Sequence, residues 1–153
     1  MLFHASIPAD DPERVARVIA ELWRGEALPF PPFPGAYIAM SGDERRTVID
    51  VYPRGHEHVP APGEYAIRTN PSPSQHSEVH LAIGTVLSEA GVIGVAEREG
   101  WLAQRSSRGG MFDVVELWLE NKFLLEVLPP DEQRRYIENL TARQFRTQFG
   151  IEK

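Results

Sequence analysis

The chain repeats itself at an interval of 76 positions (80 − 4). This shift aligns two strand-like phrases, VIDVYP at 48–53 and LLEVLP at 124–129, each with an acid among apolar residues. It also places His4 on His80 and Asp50 on Glu126, so that each histidine precedes its acid by the same 46 positions (50 − 4 and 126 − 80). Such self-similarity indicates two copies of one structural unit, which the fold has to accommodate.

The first half reads as a strand, a helix and further strands. The phrase LFHASIP is strand-like, and Asp11 followed by Pro12 predicts a helix start, because aspartate caps well and a proline at the first helical position loses no hydrogen bond. Gly25 predicts the end of this helix. Its apolar face is predicted to consist of Val15, Val18, Ile19, Leu22 and Trp23. The proline-rich residues 26–35 predict an irregular loop, and AYIAM and TVIDVYP predict strands.

The second half follows the same order. VHLAIGT predicts a strand, Ser88 an N-cap, and Gly100 the end of a helix that reaches about Glu99. The phrase MFDVVELWLENKFLLEVLP predicts a β-hairpin with its turn near residues 120–122. From Asp131 onward, the polar segment with spaced apolar residues predicts one C-terminal helix.

The hairpin prediction places the second acid. If the turn takes two residues, Glu126 shares a sheet face with Val115 and Leu117 on the other strand. An ionised carboxylate is costly there unless a cation or a hydrogen-bond donor meets it. Glu116 and Asp113 are interpreted as edge or cross-strand partners.

These elements predict the α+β class. The length of 153 residues and the 42% hydrophobic content suit one domain with a sizeable core, spanning residues 1–153. We expect two modules with the same order of strand, helix and further strands, 2–69 and 77–130, and a helical tail at 131–153. The stretch TNPSPSQHSE is a connector by composition.

Composition excludes several classes of function. A net charge of −6 without a basic stripe argues against nucleic acid as a partner. No run approaches the roughly 18 apolar residues of a membrane helix, and the first residues lack the features of a secretory signal, so we expect a cytoplasmic protein that does not enter membranes. With no cysteine, any metal must be held by nitrogen and oxygen ligands.

The repeated histidine and acid resemble a known arrangement. A lone strand histidine is more often a hydrogen-bonded structural residue, so the matched set carries the interpretation. The order and spacing resemble the vicinal oxygen chelate superfamily, which includes glyoxalase I, fosfomycin-resistance proteins, methylmalonyl-CoA epimerase and extradiol dioxygenases. The resemblance implies two βαβββ modules that form paired concave mixed sheets, and a metal held by His4, Asp50, His80 and Glu126. In some members only the equivalents of His4, His80 and Glu126 bind metal, which leaves Asp50 as a candidate catalytic base.

The resemblance also implies a type of chemistry. Imidazole and carboxylate ligands suit a divalent ion of iron, manganese, nickel, cobalt or zinc. Two adjacent oxygens of a small-molecule substrate would chelate that ion, in an isomerase, lyase or dioxygenase reaction. The alternative is a metal-free protein of the same fold that binds a small molecule. Homodimers are common in the superfamily, so a homodimer is expected.

Four further residues are candidates for contacting the substrate. Phe30 and Phe33, in the proline-rich loop, are candidates to cover a cleft, although packing against the neighbouring helix explains them equally well. Arg105 and Arg108, in QRSSRGG, are candidates to clamp an anionic group, or else they decorate a solvated turn.

A competing metal hypothesis comes from GHEHVPAPGE. His56, His58 and Glu64 resemble the H-x-H-plus-glutamate arrangement of cupins, but the glutamate is one residue too distant and two helices interrupt the jelly roll that this requires. The alternative is a solvated loop after a strand.

Overall fold

The computed structural model describes residues 2–63 and 65–151. The chain divides into two compact units, Met1–Glu78 and Val79–Lys153. None of the helices described is both long enough and apolar enough to span a bilayer.

The first unit contains a four-stranded mixed sheet in the order β1-β4-β3-β2. Its first and last long strands, β1 and β4, pair in parallel, and the other pairs are antiparallel. A separate two-stranded hairpin, β5–β6, follows. The elements are β1 (His4–Ala9), α1 (Pro12–Trp23), β2 (Glu26–Pro29), β3 (Tyr37–Met40), β4 (Val48–Pro53), β5 (His56–Val59) and β6 (Ala66–Thr69).

The second unit repeats this sheet strand for strand, in the order β7-β10-β9-β8. Its outer strand β7 again pairs in parallel with the last strand, β10. The elements are β7 (Leu81–Gly84), α2 (Glu89–Glu99), β8 (Ala103–Arg108), β9 (Phe112–Leu119), β10 (Phe123–Leu128), α3 (Pro130–Asn139) and α4 (Ala142–Phe149). The predicted repeat and the α+β class are therefore confirmed.

The helix starts follow the predicted caps. Asp11 Oδ1 accepts from the Arg14 amide at 3.1 Å, and Ser88 Oγ accepts from the Gly91 amide at 3.2 Å. Gly100 ends α2 in the left-handed conformation, with φ of 70°. In α1, however, the left-handed residue is Arg24, with φ of 52°, and Gly25 comes after it.

Gly25 serves a different purpose from the predicted helix end. A Cβ at this position would lie 2.0 Å from the Met40 carbonyl oxygen at the end of β3. The chain therefore needs a glycine there because two backbones approach closely, which no larger residue permits.

Three local predictions were wrong. The predicted loop at 26–35 begins with strand β2, which accommodates Pro29 because β2 lies at the sheet edge and ends at that residue. The stretch GHEHVPAPGE at 55–64, for which a solvated loop was the alternative to a metal site, begins the β5–β6 hairpin. The tail forms two helices instead of one, because the Thr141 hydroxyl accepts from the Gln144 amide and starts α4.

The hairpin register was also wrong. Leu119 pairs with Phe123, so the turn takes three residues, and two of them, Glu120 and Asn121, have φ of 53° and 57°. One extra turn residue shifts the pairing by one position. Glu126 therefore lies opposite Glu116, and Val115 and Leu117 belong to the buried face.

Each sheet buries one face and leaves the other more accessible. In the first unit, Ile49 and Val51 are buried on the opposite face from Asp50, and α1 contributes apolar side chains to the same core. In the second unit, Leu125 and Val127 are buried on the opposite face from Glu126. Both candidate acids therefore point away from the core of their own unit.

Gly25, just after the end of α1, and Gly94, inside α2, allow a paired test of this packing. We expect Gly25→Ala to lower the free energy of unfolding by about 2 kcal/mol or more, because the new methyl group overlaps a backbone oxygen that cannot move away cheaply. Gly94→Ala, inside α2 where nothing lies within 4 Å, is expected to raise it by about 0.5–1 kcal/mol. Urea unfolding followed by circular dichroism measures both; equal effects of the two variants would contradict the close approach at Gly25.

Candidate functional site

The accessible face of the second sheet carries two acids directly opposite each other. Glu126 on β10 and Glu116 on β9 are cross-strand partners. Like charges in this position destabilise a sheet. Arg108, at the end of β8, resolves the conflict: its Nη2 donates to Glu116 Oε1 at 2.8 Å and also to Glu126 Oε1, to which Nε donates at 3.1 Å. We call these three residues the acid–arginine cluster.

Neighbouring polar groups hold the cluster in place. Arg108 Nη1 donates to Ser106 Oγ at 2.7 Å, and Gln104 Nε2 donates to Glu116 Oε2 at 2.9 Å. The hydrogen bond from Gln104, followed by that from Arg108, holds the pKa of Glu116 below its usual value. The Glu126 side chain is only 13% exposed and that of Glu116 only 17%, so both charges depend on these partners.

His80 lies beside the cluster. Its Nε2 is 3.9 Å from Glu126 Oε1, too far for a hydrogen bond, and its side chain is 53% exposed. The predicted histidine and acid of the second unit are therefore neighbours, but Arg108 is the residue that bonds the carboxylate.

The accessible face of the first sheet carries Asp50. It pairs with Ser6 across the parallel strands, and His4 lies two residues earlier on the same face. Burial raises the pKa of Asp50; the nearby His4 and His58 and a hydrogen bond from the Ser6 hydroxyl oppose that rise. Among the described residues of the first unit, no arginine or lysine forms an ion pair with Asp50.

Five rings form an aromatic cluster on the same side of the first unit. Its members are Phe30, Phe33, Tyr52, His58 and Tyr65. Tyr52 is central: its ring centroid lies 5.2 Å from that of Phe33 and 5.0 Å from that of His58, both edge-to-face. Desolvation raises the pKa of Tyr52, and a hydrogen bond with Tyr65 raises it further, so its hydroxyl stays protonated.

A cleft of about 400 Å³ opens beside these rings. Its walls come from β1, the end of β4, β5 and residues 73–77. Ser6, Tyr52 and His58 line it and also neighbour Asp50. The volume falls in the range typical of small-molecule sites.

The predicted metal ligands do not fit a metal as they stand. Within either unit, the described residues contain no group of three histidine, aspartate or glutamate side chains arranged to hold an ion. In the second unit, Glu126 Oε1 already accepts two N–H groups from a guanidinium, which would repel a second cation at that oxygen. A four-residue site of His4, Asp50, His80 and Glu126 stays a prediction, as does a role for Asp50 as a base.

The other candidates are placed as follows. Arg105 and Arg108 lie in strand β8 and not in a solvated turn, on opposite faces of the sheet. Arg105 bonds Asp113 and Glu89, whereas Arg108 bonds the acids of the cluster. A contact of either arginine with a substrate stays a prediction.

Phe30 and Phe33 join the aromatic cluster, and their role as substrate contacts also stays a prediction. His58 packs between Tyr52 and Tyr65. His56 Nδ1 lies 2.9 Å from the Pro53 carbonyl oxygen, and Glu64, the third residue of the cupin-like hypothesis, lies outside the described residues.

Sequence reasoning missed the partners of both acids. Glu116 was interpreted as an edge or cross-strand partner, but the two-residue turn put it on the wrong face, so its place opposite Glu126 was missed. Ser6 lies two residues after His4, and Tyr52 lies two residues after Asp50, so each shares a sheet face with a candidate residue. The period of two along a strand was therefore the signal that could have found them.

Solved structures resemble this chain over most of its length. A FosX fosfomycin resistance protein from Listeria monocytogenes, solved with Mn(II) and dihydroxypropylphosphonic acid, matches with a TM-score of 0.57 and 10% identity, over 90% of this chain and 96% of that one. Glyoxalase I from Leishmania major matches with a TM-score of 0.52 and 15% identity, over 99% of both chains. A lactoylglutathione lyase from Agrobacterium tumefaciens matches with a TM-score of 0.53 and 13% identity, over 83% and 91%.

The chain has the vicinal oxygen chelate, or glyoxalase-like, fold. No family model matches the sequence, and no curated protein matches it by sequence. At these identities the structural likeness establishes the glyoxalase-like fold alone, so the chemistry has to be argued from the residues of this chain.

The acid–arginine cluster predicts a specific effect on stability. We expect Arg108→Met to lower the free energy of unfolding by about 1–2 kcal/mol, because it leaves two partly buried carboxylates opposed without a cation. Arg105→Met, which removes a guanidinium that is 55% exposed, is expected to cost less. Urea unfolding at pH 7 compares them; a larger loss in Arg105→Met would contradict the importance given to the cluster.

Substitution of Asp50 is expected to have the opposite effect on stability, a gain instead of a loss. Because burial raises the pKa of Asp50 in the folded state, this residue contributes stability at low pH that is lost as the pH rises through that pKa. Asp50→Asn is therefore expected to unfold at a higher urea concentration than the wild type at pH 7, and the gap should shrink as the pH falls towards 3.8, the ordinary pKa of aspartate. A gap that widens on acidification would contradict the cause given for the shift.

Proposed function

We propose that the protein binds a small molecule on its glyoxalase-like fold without a resident metal. The observation that carries this proposal is the Arg108 guanidinium, which bonds Glu126 and Glu116 together. A fixed internal cation supplies the charge compensation that a divalent ion would otherwise give to these carboxylates. These two carboxylates therefore have a cationic partner without an ion.

The first unit supports the binding part of the proposal. Its aromatic cluster and its cleft of about 400 Å³ combine ring surfaces with a few polar groups, the usual composition of a small-molecule site. Hydrogen bonds brace the walls of the cleft. The side-chain amide of Asn70 donates to Glu57 Oε1 at 2.7 Å across the β5–β6 hairpin, and the backbone N–H of Asn70 donates to the Gly55 carbonyl at 2.8 Å. A braced site binds without a large ordering cost.

A metal-dependent isomerase, lyase or dioxygenase is the second candidate. It is favoured by His80, which keeps an imidazole 3.9 Å from the Glu126 carboxylate. Imidazole and carboxylate are suitable ligands for iron, manganese, nickel, cobalt and zinc. For such an ion to bind Glu126, Arg108 would have to leave it. A homodimer also remains part of the proposal.

Whether the protein binds a divalent metal ion can be tested directly. We expect the purified wild-type protein to take up none of these ions after chelator treatment and re-addition. Arg108→Met is expected to gain cobalt(II) binding, because it frees Glu116 and Glu126 beside His80. Calorimetric titration and the visible spectrum of cobalt(II) both report the gain, and Arg105→Met serves as the control.

The outcome separates the two candidates. About one ion per wild-type chain, lost in His80→Ala, would overturn the metal-free proposal and support the enzyme. No gain in Arg108→Met would show that the guanidinium is not what keeps an ion from these carboxylates.

A further inference from the structure

The internal repeat allows the two accessible faces to be compared position by position. The 76-residue shift that matches Asp50 with Glu126 also matches Met40 with Glu116 and Pro32 with Arg108. The structure supports this matching on the parallel pair, because Asp50 pairs with Ser6 where Glu126 pairs with Ala82, the same separation of 44 positions in both units. On the next strand the register differs, since Ile38, and not Met40, lies opposite Asp50 as Glu116 lies opposite Glu126. The second unit thus carries its own cation beside its acid, whereas the residue that the shift matches with Arg108 is Pro32, in the turn after β2.

Asp50 consequently lacks the ionic partner that Glu126 has. Its polar neighbours are the Ser6 hydroxyl and the imidazoles of His4 and His58, and among the described residues of the first unit no arginine or lysine pairs with it. A half-buried carboxylate with no fixed cation is costly in the folded state. It is also a ready counter-ion for a cation that arrives from solution.

The rings next to Asp50 favour the same kind of ligand. Tyr52 lies two residues along on the same face, and His58, which neighbours Asp50, contacts the rings of Tyr52 and Tyr65. Phe33 continues the cluster on the other side of Tyr52. Aromatic faces attract organic cations through their quadrupoles, and a nearby carboxylate adds to that attraction.

The arginine and the glutamate that line the cleft are already paired. Arg54 bonds Asp10, and Glu57 bonds Arg68 and Asn70. These groups therefore give the cleft little net charge of its own. Asp50, which adjoins it through Ser6 and His58, is the acid left to select a ligand by charge.

We propose that the first unit binds a small organic cation, an amine or quaternary ammonium compound with an aromatic or apolar body. Its charge pairs with Asp50, in the role that Arg108 plays for Glu126, and its body lies in the cleft against Tyr52 and His58. This inference rests on the proposed metal-free binding function and names the class of ligand.

The test uses two probes that differ in charge and hardly in shape. Benzyltrimethylammonium carries a quaternary nitrogen, and neopentylbenzene has a carbon in its place. Binding to the intact protein is measured by calorimetry or equilibrium dialysis in buffer that contains a chelator. We expect the wild type to bind the cation at least about tenfold more tightly than the neutral compound.

Charge variants locate the site. Asp50→Asn is expected to lose about tenfold in affinity for the cation and to keep its affinity for the neutral compound. Glu44→Gln, an exposed acid in the turn before β4, is expected to change neither. Equal binding of the two probes, or an unchanged cation affinity in Asp50→Asn, would overturn the inference.

A gain-of-charge variant tests the comparison between the units. Pro32→Arg introduces a guanidinium into the first unit, at the position that the 76-residue shift matches with Arg108. We expect it to compete with the cation and weaken its binding, whereas Pro32→Gln, which changes the same loop residue without adding charge, leaves the affinity intact. Equal effects of the two variants would overturn the role assigned to position 32.

Failure of this inference can be told apart from failure of the proposed function. If neither probe binds and the wild type takes up no metal, the class of ligand is wrong and metal-free binding still stands. If the cation binds only after the protein is loaded with a metal ion, the metal-free proposal is wrong as well.

Discussion

The parallel pairing of the first and last long strand in each unit determines where the candidate residues lie. It places Asp50 beside Ser6 and Glu126 beside Ala82, each on the face turned away from the helix that packs on its sheet. A parallel pair requires a long crossover connection, and here α1 and the two strands after it supply that connection, while α1 alone covers the other face. The position of each acid therefore follows from the topology of its unit.

The sequence predicted the order of the elements in each unit because its main signals are local. Asp11 with Pro12 and Ser88 are capping residues, the apolar spacing of α1 has the helical period, and the 76-residue repeat transfers an assignment from one half to the other. The two acids could be located on their strands for the same reason.

The partners of the acids could not be predicted, because they depend on register and on tertiary contacts. The turn at 120–122 has three residues, and Glu120 and Asn121 both adopt positive φ without a glycine to signal it. That single extra residue brings Glu116 opposite Glu126. Arg108 then reaches both acids from a strand whose sequence, AQRSSR, has no alternation of polar and apolar residues to orient it.

The two units thus solve one electrostatic problem in different ways. Both place a carboxylate on a partly buried sheet face, where an uncompensated charge is costly. The second unit compensates with Arg108 and fixes two acids, a hydroxyl and an amide into one network. In the first unit, the loop after β2 carries Phe30, Phe33 and the prolines around them. This loop supplies ring surface, whereas the second unit supplies a guanidinium. A fold repeated within one chain can therefore neutralise the acid of one unit with an arginine of that unit and leave the acid of the other unit without a fixed cation. The acid without a cation, and not the acid of the better-bonded network, is where a ligand has the most to contribute.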